Sequence, residues 1–287
     1  MAEANLTEQF IRAQSIDFVE VYGKQLRSLF SMLGLQRRIP MSAGTTIRTY
    51  TSSVTLNGEA VPKGAVIPLS EVVLEDGPTQ ELTFAKHRKA VAVEDVQKYG
   101  FQQAVVLTDE ALLRELQKDL RGKLFAQLET GTGAATGVGL QSALAQAWGK
   151  VQVAFEDDAV RSIAFVNPED VADYLANASI TVQTAFGLNY VENFLGVNVV
   201  ILTSQIPKGT LYATAAENLV FAYANVAGGE IDKAFDFTLD QTGVIGVTRD
   251  VDKTRLTAET TTLSATLLFA ERLDGIIKVT ISAAPEA

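Results

Sequence analysis

The backbone groups best suited to chemistry lie in a glycine-rich tract, ETGTGAATGVGL, between Glu129 and Leu140. Glycine loops bind phosphate when they follow a strand and precede a helix, because the helix N-terminal amides then face the anion. Here a long predicted helix precedes the tract. Its spacing departs from GxGxxG, and no Gly-Lys-Ser/Thr follows. Neither phosphate motif is satisfied, and an α/β nucleotide-binding enzyme is only an alternative interpretation.

The titratable side chains do not form a catalytic pattern either. His87 is the one histidine, and no Ser, Cys or carboxylate is spaced from it as a triad requires, so a strand-surface position is favoured. Acids cluster at 71–76, 156–158 and 250–252, but none of these clusters completes a calcium loop. The absence of cysteine excludes thiolate chemistry and sulfur-bound zinc. The sequence predicts no catalytic residue, no cofactor and no metal site, with serine, lysine and carboxylate chemistry as the open enzymatic options.

The composition limits the classes of partner. A chain of 287 residues that is 47% hydrophobic can form one large or two modest domains. Its 24 Lys and Arg against 34 Asp and Glu give a net charge of -10, which disfavours tight binding to nucleic acid or an anionic membrane. Basic clusters at 37–38 and 86–89 are short and are expected to be strand ends or ion-pair partners. No signal peptide and no membrane-spanning run are visible.

A long one-sided helix precedes the glycine tract. Leucines recur every three or four residues on one stripe, and charged residues cover the other faces; the stripe is Leu113, Leu116, Leu120, Leu124 and Leu128. Thr108 is the predicted N-cap, and Gly131 is expected to end the helix in a left-handed conformation. Trp148 and Tyr190 are isolated aromatic residues and are expected in the core.

Residues 45–84 differ from the preceding segments in residue types. β-Branched residues alternate with turn signals, among them Asn57-Gly58 and Asp76-Gly77-Pro78, which predicts a long irregular β-hairpin. Its aliphatic side chains exceed what an isolated two-stranded ribbon can hide; they are Val54, Leu56, Val61, Val66, Ile67, Leu69, Val72, Val73 and Leu74. Either the ribbon folds back on its own domain, or a neighbouring subunit covers it.

The remaining pattern is that of an α+β protein. It predicts helices over 7–34, 93–99, 141–153 and from Asn167-Pro168-Glu169, and strands over 82–93, 162–166, 197–202, 210–213, 244–248, 263–269 and 275–281. The strand over 82–93 is expected to end in a continuous buried run at 90–93. Residues 254–262 are expected to be a polar linker or an edge strand, and Glu271 to Gly275 an ion-pair and turn device.

Taken in order, these elements resemble the major capsid proteins of tailed bacteriophages, which have the Hong Kong 97-type fold. The local matches are AVAVEDVQKY from Ala90, the long helix, GTGxxxG from Gly131, FGLNYVENFLG from Phe186 and FAERLDGIIKVTI from Phe269. The resemblance implies an N-terminal arm (1–40), an extended loop (41–85), a peripheral domain with a spine helix (86–139 and 244–262) and an axial α/β domain (140–243 and 263–287).

The resemblance also implies a function without an enzymatic reaction: capsomers that form the icosahedral shell around phage double-stranded DNA. The expected subunit interface lies in the extended loop, at Val54, Leu56, Asn57, Gly58, Lys63, Gly64, Val66, Leu69 and Val72. The expected partners are other copies in hexamers and pentamers, a separate scaffolding protein, a portal, and enclosed DNA bound without sequence specificity; no membrane is expected. The implied location is the virion, after assembly in the host bacterial cytoplasm. An encapsulin-like compartment enclosing a cargo enzyme is the alternative within the fold.

Overall fold

The computed structural model describes residues 2–55, 57, 64, 66, 69–156, 160–177 and 181–282, with the backbone alone at 2–8, 50–54, 75, 78 and 173–177. The helices of this part are α1 (Ala2–Leu33), α2 (Val93–Tyr99), α3 (Phe101–Leu128), α4 (Gly139–Ala154), α5 (Pro168–Asn177) and α6 (Glu230–Phe235). The strands are β1 (Arg37–Met41), β2 (Thr46–Thr55), β3 (Glu71–Glu81), β4 (Ala85–Ala92), β5 (Gly133–Val138), β6 (Ser162–Val166), β7 (Gln183–Ala185), β8 (Leu188–Phe194), β9 (Val197–Leu202), β10 (Thr210–Ala215), β11 (Leu219–Ala224), β12 (Thr238–Leu239), β13 (Ile245–Asp252), β14 (Thr257–Ser264), β15 (Thr266–Ala270) and β16 (Ile277–Ser282).

The largest sheet is mixed and has the strand order β5-β16-β10-β6-β9-β8-β7. Its inner strands are apolar at nearly every position because both faces are covered. On β6, Ile163 and Phe165 face the core that contains α1 and α3, whereas Ala164 and Val166 face α4. Two separate cores therefore meet across this sheet.

A second, antiparallel sheet has the order β12-β13-β14-β4. The prediction of a linker or edge strand over 254–262 was wrong, because β14 lies between β13 and β4 and pairs with both. Its buried face is polar, with Thr260, Thr262 and Ser264, which gives it the sequence pattern of an edge. The expected buried run at 90–93 was also wrong: β4 alternates, and of those residues only Val91 is buried. A third sheet has the order β1-β11-β15.

Helices α1 and α3 pack together over the main core. All five leucines of the predicted stripe are buried there, against a matching apolar face of α1 that comprises Phe18, Val19, Tyr22, Leu26, Leu29, Phe30 and Leu33. The helix of the predicted N-terminal arm is thus packed on the body from about Phe18 onward. Among the described residues, no helix combines the length and the apolar character that a membrane span requires.

The ends of α3 differ from the prediction. The helix begins at Phe101, because Gly100, with a φ of 80°, separates it from α2. Thr108 is therefore not an N-cap: it lies two turns inside, and its hydroxyl donates to the carbonyl of Ala104 at 2.8 Å. The helix ends at Leu128 with Glu129 in a right-handed conformation, so Gly131 does not end it.

The glycine tract is built into the largest sheet. Its second half is β5, which runs parallel to β16 and leads into α4. A Cβ atom on Gly131 would lie 2.5 Å from Ile276, and one on Gly137 would lie 2.3 Å from the Ala143 nitrogen. The amide of Gly133 already donates to the Ile276 carbonyl at 3.1 Å. These glycines allow close packing of backbone against backbone.

Outside the tract, one aromatic residue differs from its prediction. Trp148 was expected in the core but is 46% exposed on α4, because smaller residues of that helix, Ala143, Leu144 and Ala147, fill the buried face. Tyr190 does pack against the main core. The ion-pair and turn device is confirmed: Arg272 pairs with Asp274 at 2.7 Å, and Glu271 pairs with Arg37.

Candidate assembly surface

Strands β2 and β3 form the predicted hairpin as a separate two-stranded sheet. They pair antiparallel from Thr46 opposite Glu81 to Thr55 opposite Glu71, with one irregularity between Arg48 and Tyr50. At about 3.3 Å per residue, the paired strands extend the hairpin roughly 30 Å from its base. The runs of β-branched residues, bounded by turn dipeptides, are sufficient to specify this element.

The far half of the hairpin exposes its aliphatic side chains. Leu69 is 94% exposed and Val66 is 92% exposed, and Val72, Val73 and Leu74 are also exposed. Side chains of this kind cost free energy in water, of the order of 1.5–3 kcal/mol for each one left unburied. An isolated ribbon is marginally stable at best, and this one leaves these aliphatic side chains in water in the single copy.

The other predicted interface residues fall into two groups. Asn57 and Gly64 are exposed, and the amide of Asn57 donates to the Ser70 hydroxyl at 3.2 Å, so the strands still approach each other beyond Glu71. Leu56, Gly58 and Lys63 lie outside the described residues, as does the side chain of Val54, whose backbone pairs with Val72.

The base of the hairpin is held firmly. Leu82 is 1% exposed and packs with Ala224 and Ala265, and its amide donates to the Thr45 carbonyl at 3.1 Å. Near the irregularity, a Cβ atom on Gly77 would lie 2.4 Å from the Thr49 hydroxyl, so glycine is required there. The base of the hairpin is thus packed against the body of the protein, whereas the described aliphatic side chains of its far half are exposed.

Helix α3 is held in place by polar contacts as well as by its leucines. The buried Gln127 side chain donates to the Ala270 carbonyl at 3.2 Å and accepts from the Ala270 amide at 2.7 Å. This bidentate contact fixes the C-terminal end of α3 to β15. It satisfies polar groups that would otherwise be buried without partners.

A charged cluster fastens the other end of α3. The buried Asp109 carboxylate lies 2.6 Å from Lys89 Nζ on β4 and 2.8 Å from Arg249 Nη2 on β13. Arg249 also donates to the hydroxyls of Ser15 on α1, at 2.9 Å, and Thr260 on β14, at 3.1 Å. Burial lowers the pKa of Lys89, and the Asp109 carboxylate opposes that shift. Asp109 thus joins α3 to β4 and β13, and Arg249 extends the cluster to α1 and β14.

Sequence reasoning missed this cluster, although a signal was present. Asp109 lies four residues before Leu113 and therefore on the same helix stripe as the leucines. A charged residue on an apolar stripe indicates a buried ion pair, but in a helix that began at Thr108 the same residue would lie in the first turn, where the helix dipole favours an acid. The two cations could not be found in the same way, because they come from strands distant in the chain.

Within the part of the chain that the structure describes, no three or more His, Asp or Glu residues are placed to hold a metal ion. His87 is half-buried on β4 opposite Thr262, and its Nε2 atom has no hydrogen-bond partner. Nothing in its described surroundings pairs it with a nucleophile.

No protein-family model matches this sequence, and no curated protein sequence matches it either. Solved structures do match over most of the chain. The capsid of an empty GTA particle has a TM-score of 0.56 and 11% identity, covering 88% of this chain and 90% of that one. The capsid of cyanophage P-SCSP1u has a TM-score of 0.53 and 9% identity, covering 89% and 88%. An encapsulin complex from Synechococcus elongatus has a TM-score of 0.50 and 11% identity, covering 89% of each chain.

These likenesses show the fold. The chain has the α+β fold of phage capsid and encapsulin subunits, and the predicted Hong Kong 97-type fold is confirmed.

Proposed function

We propose that this chain is the major capsid protein of a tailed bacteriophage, which assembles into hexamers and pentamers of an icosahedral shell around double-stranded DNA. The observation that carries the proposal is the exposed aliphatic end of the hairpin on a chain with this fold. In this proposal the function is structural and needs no catalytic residue, cofactor or metal.

The exposed hairpin supplies a driving force of suitable size. Covering its five described aliphatic side chains would contribute on the order of 5–10 kcal/mol, before the cost of fixing two subunits together is subtracted; they are Val66, Leu69, Val72, Val73 and Leu74. A patch on one part of a molecule that docks on a different part of the next copy gives a heterologous interface, which forms a ring when the rotation between copies closes. Hexamers and pentamers are rings of this kind.

The division of the chain is proposed with the boundaries stated above: an arm over 1–40, an extended loop over 41–85, a peripheral domain over 86–139 and 244–262, and an axial domain over 140–243 and 263–287. The sheets support it. Strands β4, β13 and β14 of one sheet fall in the peripheral segments apart from Ala85 and the last two residues of β14, whereas the short strand β12 falls in an axial segment. Most of the seven-stranded sheet falls in the axial segments, and β5 is the one strand of that sheet that lies in a peripheral segment.

The proposed partners follow from the same function. They are other copies of the chain, a separate scaffolding protein, a portal, and DNA bound without sequence specificity, in a virion assembled in the host bacterial cytoplasm. The net charge of -10 supports loose contact with DNA, since a strongly basic inner wall would bind phosphates tightly.

The test replaces two exposed aliphatic residues of the hairpin by acids. We expect Leu69→Asp with Val72→Asp to abolish assembly and leave a folded subunit, because both side chains are exposed in the single copy and make no core contacts. Electron microscopy and light scattering would measure assembly, with and without a candidate scaffold, and circular dichroism would measure folding. Leu69→Met with Val72→Ile is the matched control, which keeps the surface apolar and should assemble.

Two outcomes would contradict the proposal. One is assembly of the double aspartate variant at the concentrations that the unaltered protein needs. The other is a protein that stays monomeric under every condition, including high concentration and added scaffold.

A second candidate function is an encapsulin-like compartment, which the likeness to an encapsulin subunit supports. The contents of purified particles distinguish the two functions. Particles from the natural source that contain genome-length double-stranded DNA support the phage capsid. Particles that contain a single species of folded enzyme and no DNA support the compartment.

A further inference from the structure

A basic pocket lies where helix α1 ends. Three arginines from separate segments line it: Arg27 on α1, Arg38 on β1 and Arg161 directly before β6. The volume of the pocket is about 440 Å³, and Glu217 is the one acid among its described lining residues. We refer to it as the arginine pocket. Its local charge is opposite in sign to the net charge of -10 that the whole chain carries.

The backbone holds Arg161 in place. Its amide donates to the Glu217 carboxylate at 3.1 Å, and its carbonyl accepts from the Ala216 amide at 2.8 Å. A Cβ atom on Gly34 would lie 2.9 Å from Cδ and 3.1 Å from Nη1 of Arg161. Gly34 follows α1 with a φ of 61°, and its lack of a side chain leaves the space that the Arg161 side chain occupies.

The other two arginines are placed by contacts with α1. The guanidinium of Arg38 lies over the Phe30 ring, 5.0 Å from its centroid, so the ring covers one face of the group. The N–H donors of a guanidinium lie in its plane and therefore stay available. Arg27 lies one turn before Phe30 on the same side of the helix. Three sets of N–H donors thus line one depression.

These guanidiniums have no partner of their own. Among the described residues, none of the three takes part in an ion pair or donates a side-chain hydrogen bond. Glu217 bonds to the Arg161 amide and forms no ion pair with a guanidinium of the pocket. Arg37, the neighbour of Arg38 in the chain, does pair, with Glu271. The pocket therefore differs from an ordinary surface ion-pair network.

Stabilisation of the end of α1 does not account for the three cations. Arginines that cap a helix donate to its last carbonyls. Here the amides of Gly34 and Leu35 donate to the carbonyls of Ser31 and Phe30, at 3.2 and 2.9 Å, and no guanidinium of the pocket donates to a described carbonyl. The helix end contributes about half a negative charge, so with Glu217 the pocket keeps roughly 1.5 positive charges.

We propose that the arginine pocket binds the phosphate group of a small molecule, such as inorganic phosphate, a short polyphosphate or a nucleotide. Guanidinium forks match the spacing of phosphate oxygens and bind them through paired, charge-assisted hydrogen bonds. The volume of the pocket is in the range of small-molecule sites. This inference goes beyond the shell function and does not depend on it.

The acids around the pocket favour a small ligand over a nucleic acid. Two adjoining depressions each share an arginine with the pocket; one of them contains Glu192 and Glu217, and the other contains Glu20 and Asp240. A nucleic acid carries about one negative charge for every 3.4 Å of each strand, so the phosphates next to a bound one would meet these carboxylates. A single phosphate group would meet mainly the arginines.

Calorimetric titration of the unassembled full-length subunit with sodium tripolyphosphate tests the site, at constant ionic strength so that screening does not change. We expect Arg38→Gln and Arg161→Gln each to weaken binding by about tenfold or more, since each removes a charge-assisted hydrogen bond. Arg37→Gln is the matched control. It removes an exposed arginine outside the pocket and should change binding by less than about twofold.

Thermal unfolding gives a second readout and checks folding. Arg38 is exposed and makes no ion pair, so Arg38→Gln should unfold at the same temperature as the unaltered protein when phosphate is absent. A tripolyphosphate concentration of about 10 mM should raise the unfolding temperature of the unaltered protein by about 3 °C or more. The rise should be less than half as large in Arg38→Gln.

Three outcomes would overturn the inference. The first is that tripolyphosphate does not bind, or binds equally to the unaltered protein and both pocket variants. The second is that a DNA duplex binds more tightly than tripolyphosphate and is lost in the same variants, which would make the ligand a nucleic acid. The third is that Arg38→Gln loses assembly and phosphate does not bind, which would pair the arginines with carboxylates of another copy. Since binding is measured without particles, the first two outcomes leave the shell function standing, and a protein that never assembles leaves the pocket standing.

Discussion

At the scale of single residues, Asp109 has the most demanding environment. Its carboxylate is buried between two cations, and neither cation has another carboxylate within ion-pair distance in the described structure. A buried ion pair adds little net stability compared with an apolar replacement, but loss of one member leaves the others buried and unpaired. Removal of the Asp109 carboxylate should therefore destabilise the fold by much more than the intact ion pairs stabilise it relative to apolar side chains.

We expect Asp109→Asn to lower the free energy of unfolding by about 3–5 kcal/mol, because Lys89 and Arg249 would then be buried without a counter-charge. Glu115→Gln is the matched control on the same helix, since Glu115 pairs with Lys118 at the surface and should cost at most about 0.5 kcal/mol. Urea denaturation of the unassembled subunit measures both. Equal losses would show that the buried cluster is not an anchor.

Tyr22 gives a prediction about alkaline pH. Burial raises its pKa above the ordinary value of 10.0, and the carboxylates of Asp119 and Asp240 act in the same direction. Above pH 10 the unfolded chain therefore releases this proton while the folded chain keeps it. The unfolded state then binds fewer protons, so stability present below pH 10 is lost as the pH rises, by about 1.4 kcal/mol per pH unit.

We expect Tyr22→Phe to remove this part of the alkaline loss. Between pH 8 and pH 11, its free energy of unfolding should fall by about 1 kcal/mol less than that of the unaltered protein. Tyr99→Phe, at an exposed tyrosine, controls for the loss of a phenol as such. An unchanged pH dependence in the Tyr22 variant would mean that the phenol reaches water in the folded state.

At the scale of elements, glycine has different roles in the long helix α3 and in the glycine-rich tract. Gly122 lies inside α3, and a Cβ atom added there meets nothing within 4 Å. Gly137 lies in β5 against the first turns of α4, where a Cβ atom would lie 2.3 Å from a backbone nitrogen. The first glycine only weakens a helix, whereas the second is required by packing.

We expect Gly122→Ala to raise the free energy of unfolding by up to about 1 kcal/mol, since alanine restricts the unfolded chain and favours the helix. Gly137→Ala should lower it by about 1–3 kcal/mol, because β5 and α4 must separate. Thermal unfolding of the two variants side by side measures the contrast. A loss of stability in Gly122→Ala would contradict the open space around this position.

Elements specified by local sequence were predictable. The hairpin over 45–84 and the leucine stripe follow from turn dipeptides and from a 3.6-residue period, and both have the predicted form. The start of α3 was not predictable. A φ of 80° at Gly100 lets α3 follow α2 without a loop, and Thr108 matches an N-cap only if the residues before it are not helical.

Features that depend on distant pairing could not be predicted. Strand β14 has the composition of an edge but is central, since β4, more than 160 residues earlier in the chain, pairs with it. The local pattern of β14 carries no information on which strands pair with it.

At the scale of the whole molecule, apolar burial would favour association of the copies, whereas their net charge opposes it. Each copy carries a net charge of -10, so a ring of six would gather about sixty negative charges. In the proposed shell the exposed hairpin would supply the attraction, and the repulsion would act over about 10 Å at 0.1 M salt and over less at higher salt. Assembly driven by apolar burial should therefore become easier as salt screens the repulsion.

We expect the protein concentration needed for assembly to fall by about tenfold between 50 mM and 500 mM sodium chloride, as measured by light scattering. Leu69→Asp with Val72→Asp should fail to assemble across the whole range, because screening removes repulsion but cannot replace the lost apolar surface. If salt instead dissolved the particles, ion pairs between subunits would be the dominant attraction. In that case, burial of the hairpin's aliphatic residues by the next subunit of a ring would not be what drives assembly.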